Sequence, residues 1–138
     1  MSALETIAVR AEFETGNVKP LLHEIRHALE RLARGEEGAV IDIQSLPLAP
    51  GEEKRIEEAL GEGEVSAELN ALGPTTILET AYAGVWLVTH RNVENEVVAR
   101  LIEVTRIPSI LLSQPEDIDA GLARLERDLE GNPETDKN

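Results

Sequence analysis

The chain predicts an α+β domain, with about three helices packed on a mixed, largely antiparallel sheet. Three observations lead there. Apolar residues recur at helical spacing in three separate stretches, and in others they alternate with polar residues at the period of a half-buried strand. The alternating stretches of the second half follow one another with only short turns between them, which is the pattern of an antiparallel meander.

Taken in order, Ile7, Val9, Ala11 and Phe13 alternate within Leu4 to Phe13 and suit a first strand. Leu21, Leu22, Ile25, Leu29 and Leu32 then form the stripe of an amphipathic helix. Asn17 is placed to cap it, Pro20 falls in its first turn, and Gly35 is available to end it. Ala39 to Ile43 is a short apolar run suited to a buried strand, and Pro47 and Pro50 break the chain before a second helix carrying Ile56, Ala59 and Leu60. Gly61 sits where a left-handed helix end is wanted.

After Gly61 the period changes to two. Val65, Ala67, Leu69 and Ala71 share one face, while Glu64, Ser66, Glu68 and Asn70 share a wet one. Turns at Gly73-Pro74 and Gly84 separate strands over Thr75 to Ala81 and Val85 to His90, and a polar loop from Arg91 to Glu96 leads into a strand over Val97 to Val104. A capping box from Ser113 to Glu116, with Pro115 in the first turn, opens a last helix expected to bury Ile118, Leu122, Leu125 and Leu129.

A length of 138 residues suits one domain, enough to bury roughly two-thirds of the unfolded surface. A single domain over 1–138 is expected, with its core at about 18–130 and a polar tail at 131–138. No internal repeat or linker divides it. With no cysteine the chain has no disulfide, thiolate nucleophile or thiolate-held cluster, and no apolar run is long enough to span a bilayer. A cytoplasmic, soluble protein is expected. The 27 acidic residues outnumber 13 basic ones and give a net charge of −14. That balance excludes nucleic acid and anionic membranes as partners and favours a basic one.

The sharpest chemical pattern is HEIRH, His23 to His27, which matches the H-E-x-x-H helix of zinc hydrolases, with two His ligands one turn apart and Glu24 to activate water. Against it, the apolar stripe of this helix points away from His23 and His27, and no third ligand follows, since Glu30 and Ala33 stand where the extended motif needs Gly and His. The pair reads as a solvated face or a partner surface. Asp42 and Glu79 lie within apolar strands and suit strand-edge carboxylates that face water or cap a turn. Gly61 and Gly63 lead from a helix into a strand, the reverse of a phosphate loop. Trp86 and Val88 share one face of their strand, Val85 and Leu87 the other, so one side should meet a helix and the other a second subunit or partner. Core packing and interface contact are both open to Trp86.

IDIQSLPLAPGE (Ile41 to Glu52), LGEGEVSAEL (Leu60 to Leu69), ETAYAGVWLVTH (Glu79 to His90) and EVTRIP (Glu103 to Pro108) together resemble the C-terminal conserved domain of the HupH/HyaF hydrogenase expression/formation proteins. The resemblance implies an accessory protein of nickel-iron hydrogenase maturation that binds the immature small, iron-sulfur subunit and works beside other maturation proteins. It implies no catalytic residue and no cofactor. Gly61, Gly63, Glu64, Gly84 and Trp86 match the family motifs and are expected to be structural or interaction residues. Glu64, Glu79, Tyr82, Gly84 and Trp86 are the candidates for partner contact, and the single copy of the domain makes a homodimer a reasonable substitute for the longer relatives' arrangement. A metal-dependent hydrolase using His23, Glu24 and His27, and a dimeric scaffold for other maturation factors, are the alternatives.

Overall fold

The computed structural model describes residues 16–131, so the strand expected within Leu4 to Phe13 and most of the polar tail lie outside the described residues. Two compact units meet after Arg106, and each is described by itself.

The first unit opens with helix α1, Val18–Ala33. Its end is set by Gly35 at φ 82°. There the Gly35 N–H donates to Leu32 O and the Glu36 N–H to Arg31 O, which satisfies carbonyls the helix leaves unpaired. Strand β1, Ala39–Asp42, runs into a short 3-10 turn at Ile43–Ser45, and helix α2 spans Glu52–Leu60. Strands β2 (Ser66–Asn70), β3 (Pro74–Glu79), β4 (Val85–Arg91) and β5 (Val97–Val104) follow. The sheet order is β1-β5-β4-β3-β2, and all four pairings are antiparallel. The meander expected from the two-residue period is present, and β1 extends it at the β5 edge. Pairing throughout is antiparallel rather than mixed.

Register decides which side chains meet. Ile41 lies opposite Ile102, and Ile102 opposite Leu87, so the three form a row across β1, β5 and β4. Ala39, Val104 and Val85 form the next row. Onto these rows α1 sets Val18, Leu21, Ile25 and Ala28, and α2 sets Ile56 and Leu60, in one continuous core. Each fully buried aliphatic side chain there contributes about 1.5–3 kcal/mol. The other face of β4 is buried too, since Trp86 and Val88 are closed off from solvent with Ile77 of β3, which agrees with a strand apolar on both sides.

Asn17 holds the cap position of α1, but its side chain donates to Pro47 O at 2.7 Å instead of capping the helix. The Asn17 N–H donates to Glu52 Oε2 at 2.8 Å, and the Ala49 N–H to Glu52 Oε1 at 2.6 Å. Glu52 is thus a buried carboxylate joining the starts of the two helices. The two backbone N–H groups, Ala49 first and then Asn17, hold its pKa below the usual carboxylate value.

The second unit contains a 3-10 turn at Ser109–Leu111 and helix α3, Pro115–Gly131. The Gln114 carbonyl accepts the Ile118 N–H at 3.0 Å, so the helix begins one residue beyond the start that a Ser113 cap would set. Ile118, Leu122, Leu125 and Leu129 do form a stripe, but they are 41–58% exposed and not buried as their spacing predicts. Helical periodicity reports a stripe, whereas burial needs a surface to cover it. Among the described residues no helix is long and apolar enough to cross a membrane.

Candidate partner-binding site

The segment between α2 and β2 is fastened by backbone hydrogen bonds around Glu79. The Gly63 N–H donates to Glu79 O at 2.8 Å, the Glu79 N–H to Val65 O at 2.9 Å, and the Ala81 N–H to Leu60 O at 2.9 Å. The Glu64 N–H donates to Glu79 Oε1 at 3.0 Å. Glu79 therefore caps a turn, as its strand position suggested, and Asp42 does the same by accepting the Gln44 N–H at 3.0 Å. Gly63 is required by this approach, because a Cβ there would lie 2.4 Å from Thr80 O. Gly61 ends α2 at φ 67°.

The β3–β4 turn is knotted around the buried Thr80. Its hydroxyl donates to Val85 O at 2.9 Å and accepts the Tyr82 N–H at 3.2 Å. This leaves Tyr82 at the tip, 53% exposed. Gly84 adopts φ 90°, and a Cβ there would press on Leu29 and Leu32 of α1 at 3.2 Å. Both glycine segments are thus places where backbone passes close to its neighbours.

Between α2 and the β2–β3 hairpin lies a groove of about 440 Å3. Its apolar surface comes from Leu60, Val65 and Leu78, and Glu57, Glu62 and Glu79 stand at its rim. Val65 is 47% and Leu78 39% exposed. Of the candidates, Glu79 lines this groove, Glu64 is exposed on the segment that bounds it, and Tyr82 and Gly84 belong to the neighbouring turn. Tyr82 also lines a second, smaller apolar hollow with Leu22, Leu29 and Ala59.

Trp86 is placed differently. It is 6% exposed and donates its indole N–H to Thr105 O at 3.0 Å. Of the two roles open to it, this burial and hydrogen bond fit core packing. Opposite Trp86 across the β4–β5 pair lies Glu103, whose carboxyl is pushed up by burial and drawn back by the charge of His90.

His23, Glu24 and His27 are exposed on α1, on the outer face their spacing predicted. A guanidinium nitrogen of Arg26 lies 3.1 Å from His27 Nε2. Among the described residues no three His, Asp or Glu side chains gather into a metal-holding group.

Sequence reasoning missed Leu78, Glu57 and Glu62 as surface-forming residues, and also Arg100. The Arg100 guanidinium joins β5 to α2 through Glu53 at 2.6 Å and through Glu57. Burial works against its charge, but the bonds from Glu57 and Glu53 outweigh it and raise its pKa. An acidic helix face followed by one Arg in an apolar strand was the available signal.

Fold and site together define an α+β domain whose uncovered sheet end offers an acid-rimmed apolar groove. The chain belongs to the family described as HupH hydrogenase expression protein, C-terminal conserved region, which matches residues 15–131. It is 31% identical over 113 residues to the hydrogenase expression/formation protein HupH of Rhizobium leguminosarum bv. viciae, covering 82% of this chain and 40% of that one. It is 32% identical over 114 residues to the hydrogenase expression/formation protein HoxQ of Azotobacter vinelandii, covering 79% and 39%. The chain thus spans about two-fifths of the length of these curated relatives. Among solved structures, the hydrogenase expression protein HupH from Thiobacillus denitrificans matches with a TM-score of 0.81 and 38% identity, covering 86% of this chain and 98% of that one.

Proposed function

We propose that this domain is an accessory protein of nickel-iron hydrogenase maturation that binds the immature small, iron-sulfur subunit in the cytoplasm, alongside other maturation proteins. The observation that carries the reading is family membership across residues 15–131, which includes the Gly61–Gly63 segment that lines the groove and the Gly84 turn beside it. Glu64, Glu79 and Tyr82 form the contact surface, Gly61, Gly63 and Gly84 hold its backbone in place, and Trp86 supports it from within the sheet. A net charge of −14 suits a basic face of the client and opposes nucleic acid. No structural observation favours the zinc-hydrolase alternative at His23 and His27.

Co-purification of the small-subunit precursor with the chain tests this. Glu64→Lys and Tyr82→Ala alter exposed side chains and leave the core intact, so they should reduce recovery of the precursor without changing the melting temperature. Undiminished recovery in both variants would remove the proposed contact surface. No recovery with the unaltered chain would remove the proposed client. Trp86→Ala is unsuitable, because truncating a buried Trp costs about 3–5 kcal/mol and confounds binding with folding.

A further inference from the structure

The helices cover β1, β5 and β4, and among the described residues the cluster beneath them draws no side chain from β2 or β3. The strip they leave open contains the groove, and β2 beside it is the last strand of the sheet among the described residues. Val65 O accepts the Glu79 N–H, so Val65 turns its backbone inward. By the alternation of an antiparallel pair, Ser66, Glu68 and Asn70 then turn their N–H and C=O groups outward, to the open edge. A row of unpaired backbone groups of this kind is a template for another strand.

We propose that this edge binds an extended segment of a partner protein by strand addition to β2, with apolar and basic side chains alternating at the positions that face the groove. The backbone of the segment pairs with Ser66, Glu68 and Asn70. An apolar side chain lies on Val65 and Leu78, and a Lys or Arg two residues along meets Glu62, since Glu57 is already held by Arg100. An acidic segment is opposed by the same rim, and a helix cannot use the edge. The inference deepens the proposed partner surface and rests on that reading only for the identity of the partner.

A capped synthetic peptide of three Val-Thr-Lys-Thr repeats is the probe, titrated into the full isotope-labelled chain and followed by amide shifts and hydrogen exchange. Shifts should fall on Val65 to Asn70 and Leu78 to Thr80, and exchange should slow at the Ser66 and Glu68 amides. Replacing Lys by Glu in the peptide, or making Glu62→Lys in the protein, should weaken binding by about tenfold, the effect of losing one well-placed charge contact. Glu68→Pro removes an outward N–H and should abolish binding; if that variant fails to fold, Glu62→Lys alone decides. Absent shifts in these segments, an equal response to the Glu peptide, or edge amides already protected in the free chain would each overturn the proposal. Precursor recovery is read separately, so a silent peptide with a retained precursor rejects strand addition, whereas a bound peptide with no precursor rejects the assigned client.

Discussion

Leu78 and Leu87 face each other across the β3–β4 pair and point to the same side of one sheet, yet Leu87 is buried and Leu78 is 39% exposed. Only the cover differs. Above Leu87 the helices complete a core with Ile41, Ile102, Ile25 and Ile56, and above Leu78 they end. The two ends of the sheet are held by different means as well. The covered end depends on apolar burial beneath the helices, whereas the segment that enters β2 at the open end is fastened by hydrogen bonds around Gly63 and Thr80. One face therefore serves as core at one end and leaves apolar surface exposed at the other.

The sharpest way to break this contrast is to truncate one residue at each end. Ile102→Ala should cost about 2–5 kcal/mol in urea unfolding, as deletions in a packed core do. Leu78→Ala should cost about 1 kcal/mol or less, because much of its surface is already wet. Equal losses would mean that the open end is packed like the covered one. Next in size is Gly63→Ala, whose methyl group would have to displace the Thr80 carbonyl. A loss of about 1–3 kcal/mol is expected, typical of overpacking, together with weaker partner binding. An unaltered unfolding midpoint would show that the close approach is not needed.

Glu52→Gln sharpens the covered end by pH. The folded-state pKa of Glu52 lies below its ordinary value of 4.5, so its charge stabilises the fold fully above that pH and progressively less as pH falls toward the folded value. The gap in urea midpoint between the native chain and Glu52→Gln should be widest near neutral pH and should close on acidification. A gap that is the same at all pH values would assign the effect to shape rather than charge. The smallest stability effect belongs to the exposed residues. Tyr82→Ala and Glu62→Lys should stay within about 0.5 kcal/mol of the native chain while reducing partner binding.

The sheet was legible because strands with one wet face write a two-residue period into the chain. Ala67 and Leu69 are half-buried and Ser66, Glu68 and Asn70 exposed, as that period predicts, although Val65 and Ala71 at the ends of the same face are exposed, and β5 has the expected bounds. The turn-capping roles of Asp42 and Glu79 were legible for a related reason, since a short acid in an apolar strand needs a nearby N–H. What could not be read was which surface lies over which. Glu52 opens α2 with no local pattern that marks it out, and only the arrival of Asn17 from far along the chain makes it a buried bridge. Trp86 occupied a two-sided strand, and its burial depends on tertiary cover that no local pattern encodes. The groove is the gap left where α2 ends, so its residues carry no motif of their own beyond the glycines that shape it.

Equilibrium binding of the purified small-subunit precursor by three full chains, native, Glu62→Lys/Val65→Asp and His23→Ala/His27→Ala, tests most directly whether the uncovered end of the sheet is the working surface. The account predicts that the native and His-variant chains bind alike, while the groove variant binds at least about tenfold more weakly with an unchanged melting temperature. A groove variant that binds like the native chain, or a His variant that loses binding, would contradict it.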